Sequence, residues 1–291
     1  MAAAAGGAGA RPAGGQPLRQ RPIPATGEAL PVIGVGTWRV FDVGDSPAER
    51  APLREMLRQL VAHGGRVVDS SPMYGAAESV VGDLAAELGV TDRLFLATKV
   101  WTTGREAGIR QMEDSRRRLR ASRLDLLQVH NLVDWSTHLR TLAAWKEAGR
   151  VRYVGITHYT AGAYDEVERV LRRERLDFLQ INYSLAERDA ERRLLPLARE
   201  RGVAVLANRP FAEGVLFRRV RGRPVPGWAG EIGCETWAQL FLKWILGHPA
   251  VTCVIPGTGR PEHLLDNLKA GTGEFPDERL RARIAAAVAA A

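Results

Sequence analysis

Four side chains in the first half of the chain could together manage a proton at neutral pH: Asp69, Tyr74, Lys99 and His130. A phenol titrates at about pH 10 in isolation, so at neutrality it holds its proton and releases it reluctantly. An ammonium close to the hydroxyl stabilises the phenolate and lowers that value; a carboxylate beside the ammonium keeps it charged despite burial. An imidazole nearby can donate a hydrogen bond to a carbonyl oxygen or to charge developing on it. The set suits proton donation to an oxygen while a carbonyl is reduced. It contains no hydride donor, so a nicotinamide cofactor is required. Taken singly, Asp69 could be a turn former, Tyr74 an aromatic lid and His130 a core histidine. Lys99 resists such an explanation. Of 41 Lys and Arg residues only four are lysines (Lys99, Lys146, Lys243 and Lys269), leaving 37 arginines. An ammonium has the compact charge and tunable pKa that a guanidinium lacks.

These residues close apolar runs, and the runs recur. From Pro31 on, short β-branched stretches at 31–38, 66–71, 94–101, 124–130, 151–158, 177–184, 202–210 and 250–258 alternate with helical patterns. Their near-continuous hydrophobicity suits strands buried on both faces of a parallel sheet. Between the first two, Leu53, Met56, Leu57, Leu60 and Val61 fall at helical spacing and glycines follow. Eight such strand–helix pairs predict a single-domain α/β fold, a (β/α)8 barrel, which typically takes about 250 residues. An open doubly wound sheet is the rival, but no strand–helix junction carries Gly-x-Gly-x-x-Gly. The segment "RPIPATGEALP" (21–31) predicts a hairpin closing the barrel bottom, and residues 211–234, rich in Gly, Pro and Arg, predict a mobile flap. Barrel chemistry gathers where strands end. The polar residues there are Thr37 with Trp38, Asp69 with Tyr74, Lys99 with Trp101, His130, Thr157 with His158, Gln180, Asn208 with Arg209, and Gly257 with Thr258.

Composition bounds the alternatives. The chain has 291 residues, 45% hydrophobic and 25% charged, with a formal charge of +8, which is normal for a globular protein with a sizeable core. No aromatic–basic interleaving accompanies the densest basic run, "SRRRLR" at 115–120, so nucleic acid is not an expected partner. No apolar run approaches the roughly 18–20 residues of a membrane span. Cys234 and Cys253 stand in unrelated contexts, suiting a reducing compartment, and a cytoplasmic protein is expected. Residues 1–20 are Ala/Gly-rich and predict a disordered tail, with the barrel over 21–291. A metal-dependent barrel hydrolase would need converging His, Asp and Glu ligands, and the Lys99 charge sits badly beside a divalent cation; no metal is expected.

Here the chain resembles the aldo-keto reductase family. "VVDSSPMYGAAESVVG" is similar to its Asp-Thr-Ala-x-x-Tyr-Gly-x-x-Glu-x-x-x-Gly block, with Ser70 and Ser71 replacing Thr-Ala, and "ATKVW" and "LLQVHN" match its lysine and histidine strands. The resemblance runs from about Pro31 to Ala270. It implies the barrel, NADPH as usual cofactor with NADH possible, Tyr74 as general acid tuned by Lys99 and Asp69, and His130 orienting the carbonyl. It also implies cofactor contacts from Thr37, Thr157-His158 (the family's Ser-Asn pair), Gln180, Asn208, Arg209, Gly257, Thr258, Asp266 and Asn267. Gly257 replaces a lysine, His263 an arginine, and Arg260 is positioned to restore the lost charge. Trp38 and Trp101 would line a pocket for a small-molecule carbonyl with apolar bulk, with Trp135 a further candidate. Arg209 or Phe211 could cover the nicotinamide where Asn208 replaces a tyrosine. Some family members are nicotinamide-binding regulatory subunits with little turnover, the competing reading. Neither the oligomeric state nor the substrate is legible.

Overall fold

The structure, a computed structural model, describes residues 16–290. Of the predicted tail, residues 1–15 lie outside the described residues; 16–19 run as coil and Gln20 begins the first strand. That strand, β1 (Gln20–Pro22), pairs antiparallel with β2 (Ala29–Pro31), so the hairpin is present. Then β3 (Val35–Gly36), β4 (Val67–Asp69), β5 (Phe95–Val100), β6 (Leu124–His130), β7 (Val151–Thr157), β8 (Phe178–Asn182), β9 (Ala204–Asn208) and β10 (Val251–Val254) lie side by side in chain order, all parallel. The ring closes between its ends: the Gly34 N–H donates to the Val254 carbonyl at 2.9 Å, and the Gly36 N–H to that of Pro256 at 3.2 Å. Helices α1 (Pro47–Ala62), α2 (Ala77–Glu87), α3 (Arg105–Arg118), α4 (Trp135–Glu147), α5 (Tyr164–Arg173) and α6 (Leu194–Glu200) follow the strands from β3 to β8. A short α7 (Val215–Arg219) precedes α8 (Trp237–Leu246) after β9, and α9 (Pro261–Ala270) and α10 (Glu278–Ala289) complete the outer layer. This is the (β/α)8 barrel that the alternation predicts, as one domain.

Period-two alternation sorts the strand residues. Leu96, Leu127, Val129, Val154, Ile156, Leu179 and Val205 face out into the helix layer. Phe95, Leu126, Tyr153, Phe178, Leu206 and Cys253 face in, and Ile23 and Leu30 of the hairpin cover them from below. The rings of Phe95, Tyr153 and Phe178 meet at centroid distances of 5.5–6.0 Å and fill the lower barrel. Further along the same inward rows the residues turn polar: Asp69, Lys99, Gln128, His130, Thr157 and Gln180, all buried. Register places them together, with Lys99 opposite Gln128, and Thr157 opposite both His130 and Gln180. Buried polar groups are costly unless paired, so this layer needs mutual hydrogen bonds.

Glu28 fastens the hairpin, accepting from Arg66 at 2.8 Å, from the Tyr153 hydroxyl at 2.6 Å and from Arg152. The connection 211–234, expected as a mobile flap, is folded against α8. Phe211 and Phe217 meet tilted at 4.9 Å, and Phe217 meets Phe241 edge-on at 5.6 Å, an arrangement that Gly and Pro content does not announce.

Candidate active site

Asp69 and Lys99 point inward from neighbouring strands, and the lysine Nζ donates to Asp69 Oδ2 at 2.7 Å and to the Ser70 carbonyl at 2.6 Å. Asp69 Oδ1 accepts from Gln180 Nε2 at 2.7 Å and from Gln128 Nε2 at 3.3 Å. Thr157 Oγ1 donates to Gln180 Oε1 at 3.0 Å, and Thr37 Oγ1 lies 3.0 Å from the Asp69 carbonyl and 2.9 Å from Ser70 Oγ. After β4 the chain folds back: the Tyr74 N–H donates to the Ser71 carbonyl at 3.0 Å, and Gly75 adopts φ +58°. A Cβ at Gly75 would strike the Asp42 carboxylate at 2.1–2.4 Å, so only glycine allows this approach. The turn lays the Tyr74 ring 4.9 Å from Lys99 Nζ. His130, ending β6, meets Tyr74 edge-on at 5.9 Å, and its Nδ1 is 3.1 Å from Ser71 Oγ.

The charges follow from this packing. Burial opposes the Lys99 charge, but Asp69 and then Tyr74 outweigh it and hold the ammonium above the ordinary lysine value. Burial, again first, raises the Tyr74 phenol, and Asp69 adds to this; Lys99 pulls it down by charge and hydrogen bonding, without prevailing. The expectation that the ammonium leaves the phenol below its ordinary value is therefore corrected: desolvation wins, and the hydroxyl stays protonated at neutral pH. His130 is pushed down to about 2 by burial, then by Lys99 and His158, and is neutral. Above these groups opens a cavity of about 630 Å3, lined by Thr37, Trp38, Asp69, Tyr74, His130 and others named below.

Residues 32–287 match the sequence model of the aldo/keto reductase family. The chain belongs to that family. It is an NAD(P)H-dependent oxidoreductase. It is 29% identical over 262 residues to the methylglyoxal reductase YeaE of Escherichia coli K12, covering 86% of this chain and 89% of the relative. An NADH-specific methylglyoxal reductase of the same organism is 25% identical, covering 87% of this chain and 93% of the relative. A crystal structure of an aldo-keto reductase from Klebsiella pneumoniae in complex with NADPH is similar with a TM-score of 0.76 and 28% identity, covering 90% of this chain and 92% of that one.

The family's cofactor positions are not all brought to the cavity. Thr37, Thr157, Gln180, Asn208, Arg209 and Gly257 line it. His158 does not: its Nδ1 accepts from the backbone N–H groups of Tyr159 and Thr160, and its ring stacks on Tyr159 at 5.6 Å. Asp266 is engaged by Thr236 Oγ1 at 2.8 Å and Gln239 Nε2 at 2.6 Å, binding α9 to α8. Thr258 Oγ1 accepts from the Arg260 N–H, and Asn267 lies on the buried face of α9. The Arg260 guanidinium pairs with Glu262 at 2.5–2.6 Å, so its charge is offset. Trp38 lines the cavity, whereas Trp101 stands 6.4 Å from His130 outside the lining, and Trp135 donates to Glu166.

Sequence reasoning missed several lining residues, among them Met73, Asn131, Tyr159, Glu213 and Phe217. Tyr159 lies two residues past the end of β7, so strand periodicity carries no signal for it. Gln128, which also meets Asp69, could have been found by the period of two within β6, two before His130. The cavity suits a nicotinamide nucleotide by its own unmet groups: Asn131 Oδ1, Asn208 Oδ1 and Arg209 Nε are buried without partners, and such atoms call for a polar ligand or water.

Proposed function

We propose that this protein reduces an aldehyde or ketone to the alcohol with NADPH, accepting NADH, and that Tyr74 is the general acid. The observation that carries the reading is Lys99 Nζ, 2.7 Å from the Asp69 carboxylate and 4.9 Å from the Tyr74 ring, beneath the cavity floor. Thr37, Thr157, Gln180, Asn208, Arg209 and Gly257 would hold the cofactor along the wall they line. When bound, the reduced nicotinamide supplies the hydride. Tyr74 gives its proton to the substrate oxygen, and Lys99, fixed by Asp69, steadies the phenolate left behind. Neutral His130 donates to the carbonyl oxygen as charge develops there.

A substrate with apolar bulk is supported by the rim. Among the described residues, the exposed large hydrophobic side chains are Trp38, Met73, Trp101, Tyr159 and Phe217, and four of the five line this one mouth. Clustered exposed apolar surface marks a binding site. The pairing of Arg260 with Glu262 weakens the hold on a 2′-phosphate, which is why NADH is included. Fluorescence titration with both nucleotides, followed by steady-state consumption with a panel of aldehydes, tests the reading. Binding of neither nucleotide, or binding with no turnover of any carbonyl, rejects it.

A further inference from the structure

Ser71 is fully buried, and its Oγ lies 3.1 Å from Nδ1 of the buried His130. The Met73 N–H donates to the same oxygen at 3.5 Å. No other acceptor for the Ser71 hydroxyl is present among the described residues, so a proton on Nδ1 would leave that hydroxyl a buried donor with nothing to meet. An unmet buried donor costs more than a normal hydrogen bond contributes. Satisfaction of both groups therefore assigns the bond as Ser71 O–H donating to Nδ1, with the imidazole proton on Nε2. Among the described residues the one hydrogen bond of the His130 ring is through Nδ1, which leaves Nε2 to the cavity that His130 lines.

We infer that Ser71 is a positioning residue: its hydroxyl holds His130 in the tautomer that presents Nε2–H to the ligand. The inference rests, for its catalytic consequence, on the reading of His130 as donor to the substrate carbonyl. Its structural content stands apart from that reading. The neutrality of His130 supports it, since an imidazolium would donate from both nitrogens and need no tautomer fixed.

The test is 15N NMR of histidine-labelled enzyme together with kinetics. In the wild type His130 should show an unprotonated, hydrogen-bonded Nδ1 and a protonated Nε2. Ser71→Ala should move the Nδ1 resonance toward that of an unbonded ring nitrogen and lower kcat by on the order of fivefold, the worth of one net hydrogen bond, with cofactor Kd unchanged. Ser71→Thr, which keeps the hydroxyl, should restore both. A proton on Nδ1 in the wild type, or His130 resonances untouched by Ser71→Ala, overturns the inference. If the resonances move while kcat holds, the control of tautomer stands and the role of His130 at the carbonyl falls.

Discussion

Burial holds the Tyr74 phenol above its ordinary value, and the Lys99 charge beside it pulls the other way, the balance that the proposed acid role needs. Tyr74→Phe should preserve nucleotide binding and lower kcat by about 100-fold or more, the usual worth of a positioned acid; near-wild-type turnover would reject the assignment. The pH profile has a definite shape. His130, held down to about 2, stays neutral, so kcat should show no limb from this imidazole between about pH 5 and 8. Activity should fall only on the alkaline side, as the phenol loses its proton. Lys99→Met removes the cation that favours phenolate, so the residual alkaline limb should move to higher pH; a shift to lower pH would contradict the charge balance. The clustering of Asp69, Lys99, Tyr74 and His130 was legible because Asp69, Lys99 and His130 lie at or near the ends of apolar runs and Tyr74 follows in the turn after β4. The placement of His158 and Asp266 was not. Neighbours in sequence do not tell which way a ring turns once a strand has ended, and the Thr236 and Gln239 partners of Asp266 come from α8, some thirty residues away.

Helix spacing around the barrel depends on individual contacts. A Cβ added to Gly82 in α2 would come within 2.0 Å of the Arg118 carbonyl in α3, so Gly82→Ala forces the two helices apart. We expect a loss of about 3 kcal/mol, read as a lowered denaturant midpoint with unchanged slope. Arg281 of α10 bonds to the Trp244 carbonyl at 3.0 Å, the Tyr183 hydroxyl at 2.5 Å and Glu191 at 2.7 Å. Arg281→Ala should cost about 2–3 kcal/mol, since Tyr183 and Glu191 lose a mostly buried partner; an unchanged Tm would show that α10 is not fastened there. The strands and most helices were legible because their periodicity is strong. The alanine-rich end, "ARIAAAVAAA", reads as a fraying helix, and α10 forms over most of it with Ile284 and Val288 buried.

Stability of the whole fold should fall on acidification. Burial first lowers His130 to about 2 and His248 to about 4, whereas an unfolded histidine titrates at about 6.5. Below that value the unfolded chain binds protons that the folded chain refuses, so stability declines as pH drops. The well-buried His130 contributes up to about 1.4 kcal/mol per pH unit until its folded value is reached, and the partly exposed His248 less. Thermal melts from pH 7 to 5 should show the decline, and His248→Gln should shallow it; an unaltered slope would mean His248 is not the group responsible.

The packed rings of Phe95, Tyr153 and Phe178, with Ile23 and Leu30 beneath them, are buried, and among the described residues they close the barrel below its polar layer. Under the proposed chemistry, proton resupply to Tyr74, substrate arrival and product departure would all share the aromatic mouth.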